Sequence, residues 1–387
     1  MAGWATFVCA NDVTGVAGGD ANLDAGARVR DAGRSAAKHG AAVPGPLPLL
    51  LPPNPVHRFY RGGDGIDRLR GVVAGGGPGA PEDWVGSTTT SLGNDREGLA
   101  LLADGRLLRD VIAADPLGYL GADHVKRWGA NPGVLVKLLD AGERLAAHYH
   151  PGRAFALAQM GLPFGKTEAW IILSAEPGAH MHLGLREAID RSVIDRWVRE
   201  QNSDQMLAAL NVVPVVAGDV LFVPAGTIHT IGAGITLVEL QEPTDMSVVL
   251  EWQRFKVTGG EENLKLGWDR VLDAAELGAG VPFHGPVQAA AAQGASSQRL
   301  LPEAADPYFR AERVAVNGTA LTFGPAYSVL IALEGELSIT REGQAPLRLG
   351  PGQSALIPYG AGAIALDGHG SGIRCLPPAA DSGEGKW

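Results

Sequence analysis

Along this chain of 387 residues, the apolar positions change period several times, and each change marks an expected element. "GVLVKLLD" is a short, nearly unbroken apolar run, the pattern of a buried strand. "LPFGKTEAWIIL" is strand-like, and "GDVLFVPAGTIHTIGAGITLVELQE" reads as strands interrupted at Pro-Ala-Gly. Between them, "GLREAIDRSVIDRWVREQNSDQMLAALN" places Leu185, Ile189, Val193, Trp197 and Val198 at helical spacing, which predicts an amphipathic insertion over about 184–211. Residues 98–114 carry helix-spaced Leu, Val and Ile, and residues 263–280 also read as helical. From about Pro302 onward, short strands alternate with Gly/Pro turns, as in an all-β barrel.

These periods divide the chain. Residues 1–44, rich in Gly, Ala and Asp, read as a flexible extension, with structure expected from "PLPLLLPPNP" onward. A mainly β domain with its helical insertion follows over 45–262, then a helix and linker over 263–300 ending in "AAAAQGASSQRL". A second β domain occupies 301–387.

Composition narrows the function. The net charge is -10 and basic residues do not cluster, which argues against nucleic acid as a partner. No apolar run approaches the roughly 20 residues needed to span a bilayer, so no membrane role is expected. The start "MAGWATFVCANDVTG" has no basic n-region or sustained apolar run. Two cysteines, Cys9 and Cys375, lie far apart and suggest a reducing compartment. A cytoplasmic protein is expected; the sequence is silent on oligomeric state.

The candidate chemistry lies in histidines. In "RLAAHYHPG", His148 and His150 are two apart, so a strand would present both on one face. A second pair, His180 and His182, lies in "HMHLGLRE", where Glu187 completes an H-x-H-x4-E spacing. Spacing alone does not separate these two pairs. Gly218 to His229 reads G-x5-P-x-G-x-x-H and is similar to the second signature motif of cupin barrels, with Ala233 where that motif ends in Asn. Gly352 to Ala363 repeats the Gly, Pro and Gly spacing but ends in Ala. The resemblance implies two cupin-like jelly-roll barrels, of which only the first keeps a metal-binding histidine. Glu168 alternates with Trp170 and Ile172 and should face inward, where a carboxylate needs a partner: a metal, or Lys166 two residues before it.

"VLVKLLDAGERLAAHYHP", "GKTEAWIIL" and "GDVLFVPAGTIHTIGAGITLVELQE" together resemble type I phosphomannose isomerases, with gaps, from about Pro46 to Trp252. "PEDWVGS" matches their W-x-x-S segment at Trp84 and Ser87. The resemblance implies a metal-dependent cupin enzyme that interconverts mannose 6-phosphate and fructose 6-phosphate. Its Gln-x-His-Pro falls on His148 to Pro151, its Lys-x-Glu on Lys166 to Glu168, and its P-[SA]-G-x-x-H on Pro224 to His229. It therefore implies that His148, His150, Glu168 and His229 hold one divalent metal, zinc first, with manganese, iron or cobalt as alternatives, and leaves His180 and His182 without a role. Two departures stand out. His148 replaces the family's Gln, and Val249 occupies the position of an Arg about ten residues after the strand glutamate.

Aldose–ketose isomerisation moves a proton between two neighbouring carbons through an enediol, so it needs a base and a partner for the oxygens. Lys166, Glu239 and Arg254 are the candidates. Glu239 alternates with Ile235 and Leu237, and Arg254 and Lys256 follow the position that lacks its Arg. Asp245 matches a family Asp, but a turn-forming Asp after Pro243 explains it equally well. The rival expectations are an isomerase of another sugar, a cupin oxygenase or decarboxylase, and a sugar-binding cupin without catalysis.

Overall fold

A computed structural model describes residues 45–71, 77–286 and 294–379. The expected extension over 1–44 and part of the linker lie outside them. The described chain is mainly β. Seven strands form one antiparallel sheet in the order His284–Pro286, Asp219–Val223, Glu168–Ala175, Ile235–Gln241, Leu135–Ala141, Glu82–Val85 and Pro55–Val56. A second sheet of five runs Val248–Val249, His148–Tyr149, His229–Ile231, His180–Leu185 and Leu210–Pro214. Leu139, Trp170, Ile172, Leu221 and Leu237 of the first sheet share one apolar cluster with Met181, Leu183, Val213 and Ile231 of the second. The two sheets thus face each other across a common core, as alternating strand residues require.

Leu135–Ala141 is buried along its whole length, as its unbroken apolar run predicts. Its two faces serve different layers. Leu139 faces the second sheet, whereas Val136 and Leu138 join a cluster with Phe222, Val329, Ile331, Leu356 and Ile373. That cluster attaches the first sheet to a third, built largely from the C-terminal residues. Two strands there, Ser328–Thr340 and Ile364–Leu376, are 13 residues each, longer than the Gly-rich sequence suggests. The repeated motif has a matching backbone. Gly218 and Gly352 both take positive φ, 93° and 73°, before the strands Asp219–Val223 and Ser354–Ile357.

Other elements depart from the apolar periodicity. The expected helix over 98–114 shrinks to Leu108–Ala114, because Leu101 bridges to Leu107 around a turn at Gly105. The insertion is helical over Arg191–Glu200 and Ser203–Ala209, while Leu185 ends a strand. Its Ile194, Val198 and Met206 pack with Tyr149, Val248 and Leu250, covering the outer face of the five-stranded sheet. Residues 263–280 are helical only over Trp268–Val271 and the 3-10 turn Leu272–Ala274 that continues it, since Leu264, Lys265 and Gly267 take positive φ. Leu49–Leu51 pairs with Ser354–Leu356, so the first described strand belongs to the C-terminal sheet. Among the described residues no helix is long and apolar enough to cross a membrane.

Phe309 is fully buried in the cluster between the first and third sheets, 6.4 Å ring to ring from Phe222. Phe309→Ala should therefore cost about 3–5 kcal/mol. Denaturant unfolding checks this; an unchanged midpoint would mean that the two sheets do not depend on each other.

Candidate metal centre and its two cavities

The site forms between the two facing sheets, which contribute different chemistry. Imidazoles come from the five-stranded sheet. His148 and His229 lie directly opposite each other on neighbouring strands, and His150 shares the face of His148 two residues on. Their ring centroids are 4.2 to 5.1 Å apart. One ring nitrogen of each lies within 4.8 Å of the others. The Pro224-Ala225-Gly226 turn fixes this arrangement. Gly226 has φ +88° and donates its N–H to the His150 carbonyl at 2.7 Å, a backbone conformation that side chains rarely adopt.

Each imidazole is oriented from behind. Nδ1 of His148 donates to the Ala146 carbonyl at 2.7 Å, that of His150 to Met246 at 2.9 Å, and that of His229 to Thr227 at 2.8 Å. A carbonyl only accepts, so the proton sits on Nδ1 and Nε2 carries a lone pair toward the interior. Burial lowers the pKa of all three; His150 is pushed down to about 3. They are therefore neutral near pH 7, the form that binds metal.

Carboxylates and lysines come from the seven-stranded sheet. Trp84, Lys137, Glu239 and Trp170 stand directly opposite one another across four strands, and Glu82 and Glu168 lie two residues along. Glu168 Oε1 is 3.0 Å from His150 Nε2, and Oε2 is 3.6 Å from His229 Nε2. Both Nε2 atoms are buried without a hydrogen-bond partner. Lone pairs of two imidazoles therefore face a carboxylate, an arrangement that calls for a cation between them. His148, His150, His229 and Glu168 fit a divalent metal that takes nitrogen and oxygen donors.

Glu168 also touches Lys166 Nζ at 3.3 Å, so the lysine contact expected for it is present beside the histidines. Despite burial, His150 and Lys166 hold its carboxyl well below the usual range. Glu239 is pushed up to about 8, first by burial and then by the Glu168 charge. Lys137 lies between Glu239 at 3.3 Å and Glu82 at 3.4 Å; burial lowers its pKa, but these two carboxylates raise it further. Glu82 accepts from Tyr60 Oη at 2.6 Å and Trp84 Nε1 at 2.7 Å. Trp84 thus holds a carboxylate in place, and Ser87 braces the turn at Thr89. Sequence reasoning missed Lys137, Glu82 and Tyr60. The available signal was a lysine on the inward phase of an otherwise apolar strand.

Two cavities meet here. The inner one, about 30 Å³, is bordered by His148, His229, Glu168, Glu239, Lys137 and Lys166, among others. The outer one, about 380 Å³, is bordered by His57, Ser91, Asn94, Glu97, Asp245 and Glu261, among others. Arg58, Phe59, Ser247 and Val249 border both. Val249 stands opposite His148 on the edge strand. Arg254 borders neither and lies over the Phe255 ring at 5.8 Å. Asp245 is no simple turn residue, because it accepts a two-point ion pair from Arg58 at 2.9 and 3.1 Å.

The other histidine pair is out of phase. Leu183 is the residue opposite His229, so His180 and His182 face away from the site, and Glu187 is exposed.

No protein-family model matches the chain. Over 168 residues it is 33% identical to a mannose-6-phosphate isomerase of Streptococcus mutans, covering 42% of this chain and 51% of that protein. Over 239 residues it is 27% identical to a mannose-6-phosphate isomerase of Bacillus subtilis, covering 61% and 72%. The chain thus spans about half the length of the first relative. The crystal structure of the mannose 6-phosphate isomerase from Bacillus subtilis superposes with a TM-score of 0.69 at 18% identity, over 85% of this chain and 99% of that one. A mannose 6-phosphate isomerase bound with zinc and yttrium superposes at 0.64 and 15% identity, over 86% and 100%. The chain therefore shares its fold with these proteins.

Two outcomes follow from this geometry. His150→Ala should lower zinc content by more than about tenfold, whereas His182→Ala should leave it unchanged; elemental analysis of both variants decides between the histidine pairs. Metal uptake should also release a proton near pH 7. The Glu168 charge helps keep Glu239 protonated up to about pH 8, and a cation on Glu168 removes that repulsion. Calorimetry in buffers of different ionisation enthalpy should show this release in the wild type and its loss in Glu239→Gln. Equal release in both would remove Glu239 from the linkage.

Proposed function

We propose that this chain, related in sequence to mannose-6-phosphate isomerases and sharing their fold, is a metal-dependent aldose–ketose isomerase acting on mannose 6-phosphate and fructose 6-phosphate. The observation that carries this reading is the meeting of three neutral imidazoles and Glu168 with a second carboxylate, Glu239, whose pKa is pushed up to about 8 in the same chamber. The same reading takes residues 45–262 as the metal-bearing domain and 301–387 as its companion, in a cytoplasmic protein.

The reaction shifts one proton between carbons, one between oxygens, and one π bond. Taken from the aldose, the C2–H bond breaks and its electron pair forms C1=C2, while the carbonyl electrons move to O1, which gains a proton. The O2–H proton then leaves, C2=O forms, and C1 takes a proton. His148, His150, Glu168 and His229 would hold the metal. A divalent cation there supplies a Lewis acid for the carbonyl and its neighbouring hydroxyl. Glu239 suits the carbon proton, since a carboxylate with pKa near neutrality both accepts and returns it. Lys137, 3.3 Å away, stabilises the ionised form of Glu239. Lys166, held between Glu168 and Ser247 Oγ at 3.5 Å, would donate to a developing oxyanion. Tyr60 and Trp84 hold Glu82, which in turn fixes Lys137.

A second reading, an isomerase of the unphosphorylated sugar, is favoured by one observation. The charged residues bordering the outer cavity are Glu97, Asp245 and Glu261 against Arg58, an acidic balance for receiving a phosphate. Assays of mannose 6-phosphate and of mannose, side by side with metal-loaded protein, address both readings. Absence of turnover of either with zinc, manganese, cobalt or iron would end the isomerase reading. Glu239→Gln should lower kcat by roughly 10²–10⁴-fold with KM changed only a few-fold. A KM effect without a kcat effect would assign Glu239 to binding instead.

A further inference from the structure

The neck between the two cavities is bordered by Arg58, Phe59, Ser247 and Val249, and Arg58 is the charged member of that set. Its guanidinium pairs with Asp245 through both terminal nitrogens on the outer side. On the inner side its Nε lies 3.3 Å from Glu82 Oε1 without an aligned hydrogen bond. Asp245 Oδ2 also accepts the Leu92 backbone N–H at 3.0 Å, so a wall of the outer cavity holds the pair in place. The Arg58 side chain is 13% exposed and that of Asp245 4%.

Such a pair is costly to bury, and its two-point geometry fixes both partners in one plane. Each terminal nitrogen of Arg58 has two N–H groups and spends one on Asp245, leaving one on each for another acceptor. Asp245 Oδ1 accepts one hydrogen bond from Arg58 and keeps a lone pair for another donor, whereas Oδ2 is filled by Arg58 and Leu92. The neck thus presents preorganised donors and an acceptor side by side, the complement of neighbouring hydroxyls, which both donate and accept. Val249 offers nothing polar at the same place.

We propose that Arg58 and Asp245 clasp the hydroxyls of an open-chain sugar where it passes from the outer cavity to the metal chamber. The clasp determines specificity by fixing which carbons reach the metal chamber. It rests on the isomerase reading and applies to either sugar named there. Neither residue takes part in bond breaking; their effect is on binding and register.

Removing Arg58 alone strands two carboxylates, so the informative variant is Arg58→Gln with Asp245→Asn, which keeps a neutral hydrogen-bonding pair. A purely structural pair would be rescued by this exchange. With melting temperature and zinc content equal to wild type, the double variant should raise KM by roughly 10- to 100-fold, with kcat within about threefold. Arg58→Lys keeps the charge but loses the planar fork, should shift KM in the same direction, and decides the matter if the double variant does not fold. Titration of zinc-loaded protein with mannitol and with mannitol 6-phosphate supplies a readout independent of turnover. At least one should bind wild type and lose affinity in the variants. A variant KM within about twofold of wild type, or polyol binding equal in both, would overturn the clasp. If the wild type converts neither sugar, the isomerase reading fails, and polyol binding still tests the clasp.

Discussion

Charge buried between two apolar sheets is the constraint around which this structure is arranged. Glu82, Lys137 and Glu239 alternate in sign at contacts of 3.4 and 3.3 Å, and Lys166 meets Glu168 at 3.3 Å. At one point the alternation breaks, where Glu239 faces Glu168. Two ionised carboxylates cannot share a dry site, so either a proton stays on Glu239 or a cation draws charge from Glu168. The fold thus leaves room for one positive charge among three imidazoles, and links its arrival to the protonation of a neighbouring acid. Lone removal of a partner from such a set costs on the order of 3–5 kcal/mol. That penalty ties the stability of the layer to the integrity of the site.

Strand architecture makes this arrangement possible. One sheet presents histidines whose Nδ1 atoms are held by backbone carbonyls, and the facing sheet presents carboxylates and lysines in a row across four strands. Neither sheet carries the site alone. The helical insertion packs behind the histidine-bearing strands, and the C-terminal sheet packs through Phe309 and Phe222 behind the carboxylate-bearing ones. Both outer layers therefore lie against the backs of the strands that aim these side chains inward.

Much of this was legible in the sequence, for definite reasons. Local patterns reported local structure: the apolar run at Leu135–Ala141, the His-x-His pair, and the Pro-Ala-Gly turn before His229. Alternation placed Glu168 and Glu239 on the inward face. What stayed hidden depends on contacts between distant residues. Arg58 and Asp245 are 187 positions apart, and nothing near either announces the other. Leu49–Leu51 adds to a sheet whose other strands lie beyond residue 295. His180 and His182 were competitive on spacing because their exclusion is a matter of strand phase, which only the pairing of His229 with Leu183 reveals. Lys137 was overlooked because burial of a lysine becomes tolerable only with two carboxylates from other strands.

The chemistry of the site depends most on the identity of the atoms that surround the cation. X-ray absorption spectroscopy of the zinc-loaded protein measures that shell directly. Three imidazole nitrogens at about 2.0–2.1 Å and carboxylate oxygen at about 2.0–2.2 Å are expected, with the imidazole signal reduced by one in His148→Ala. A shell with fewer than three imidazoles in the wild type, or one unchanged by His148→Ala, would contradict this ligand set.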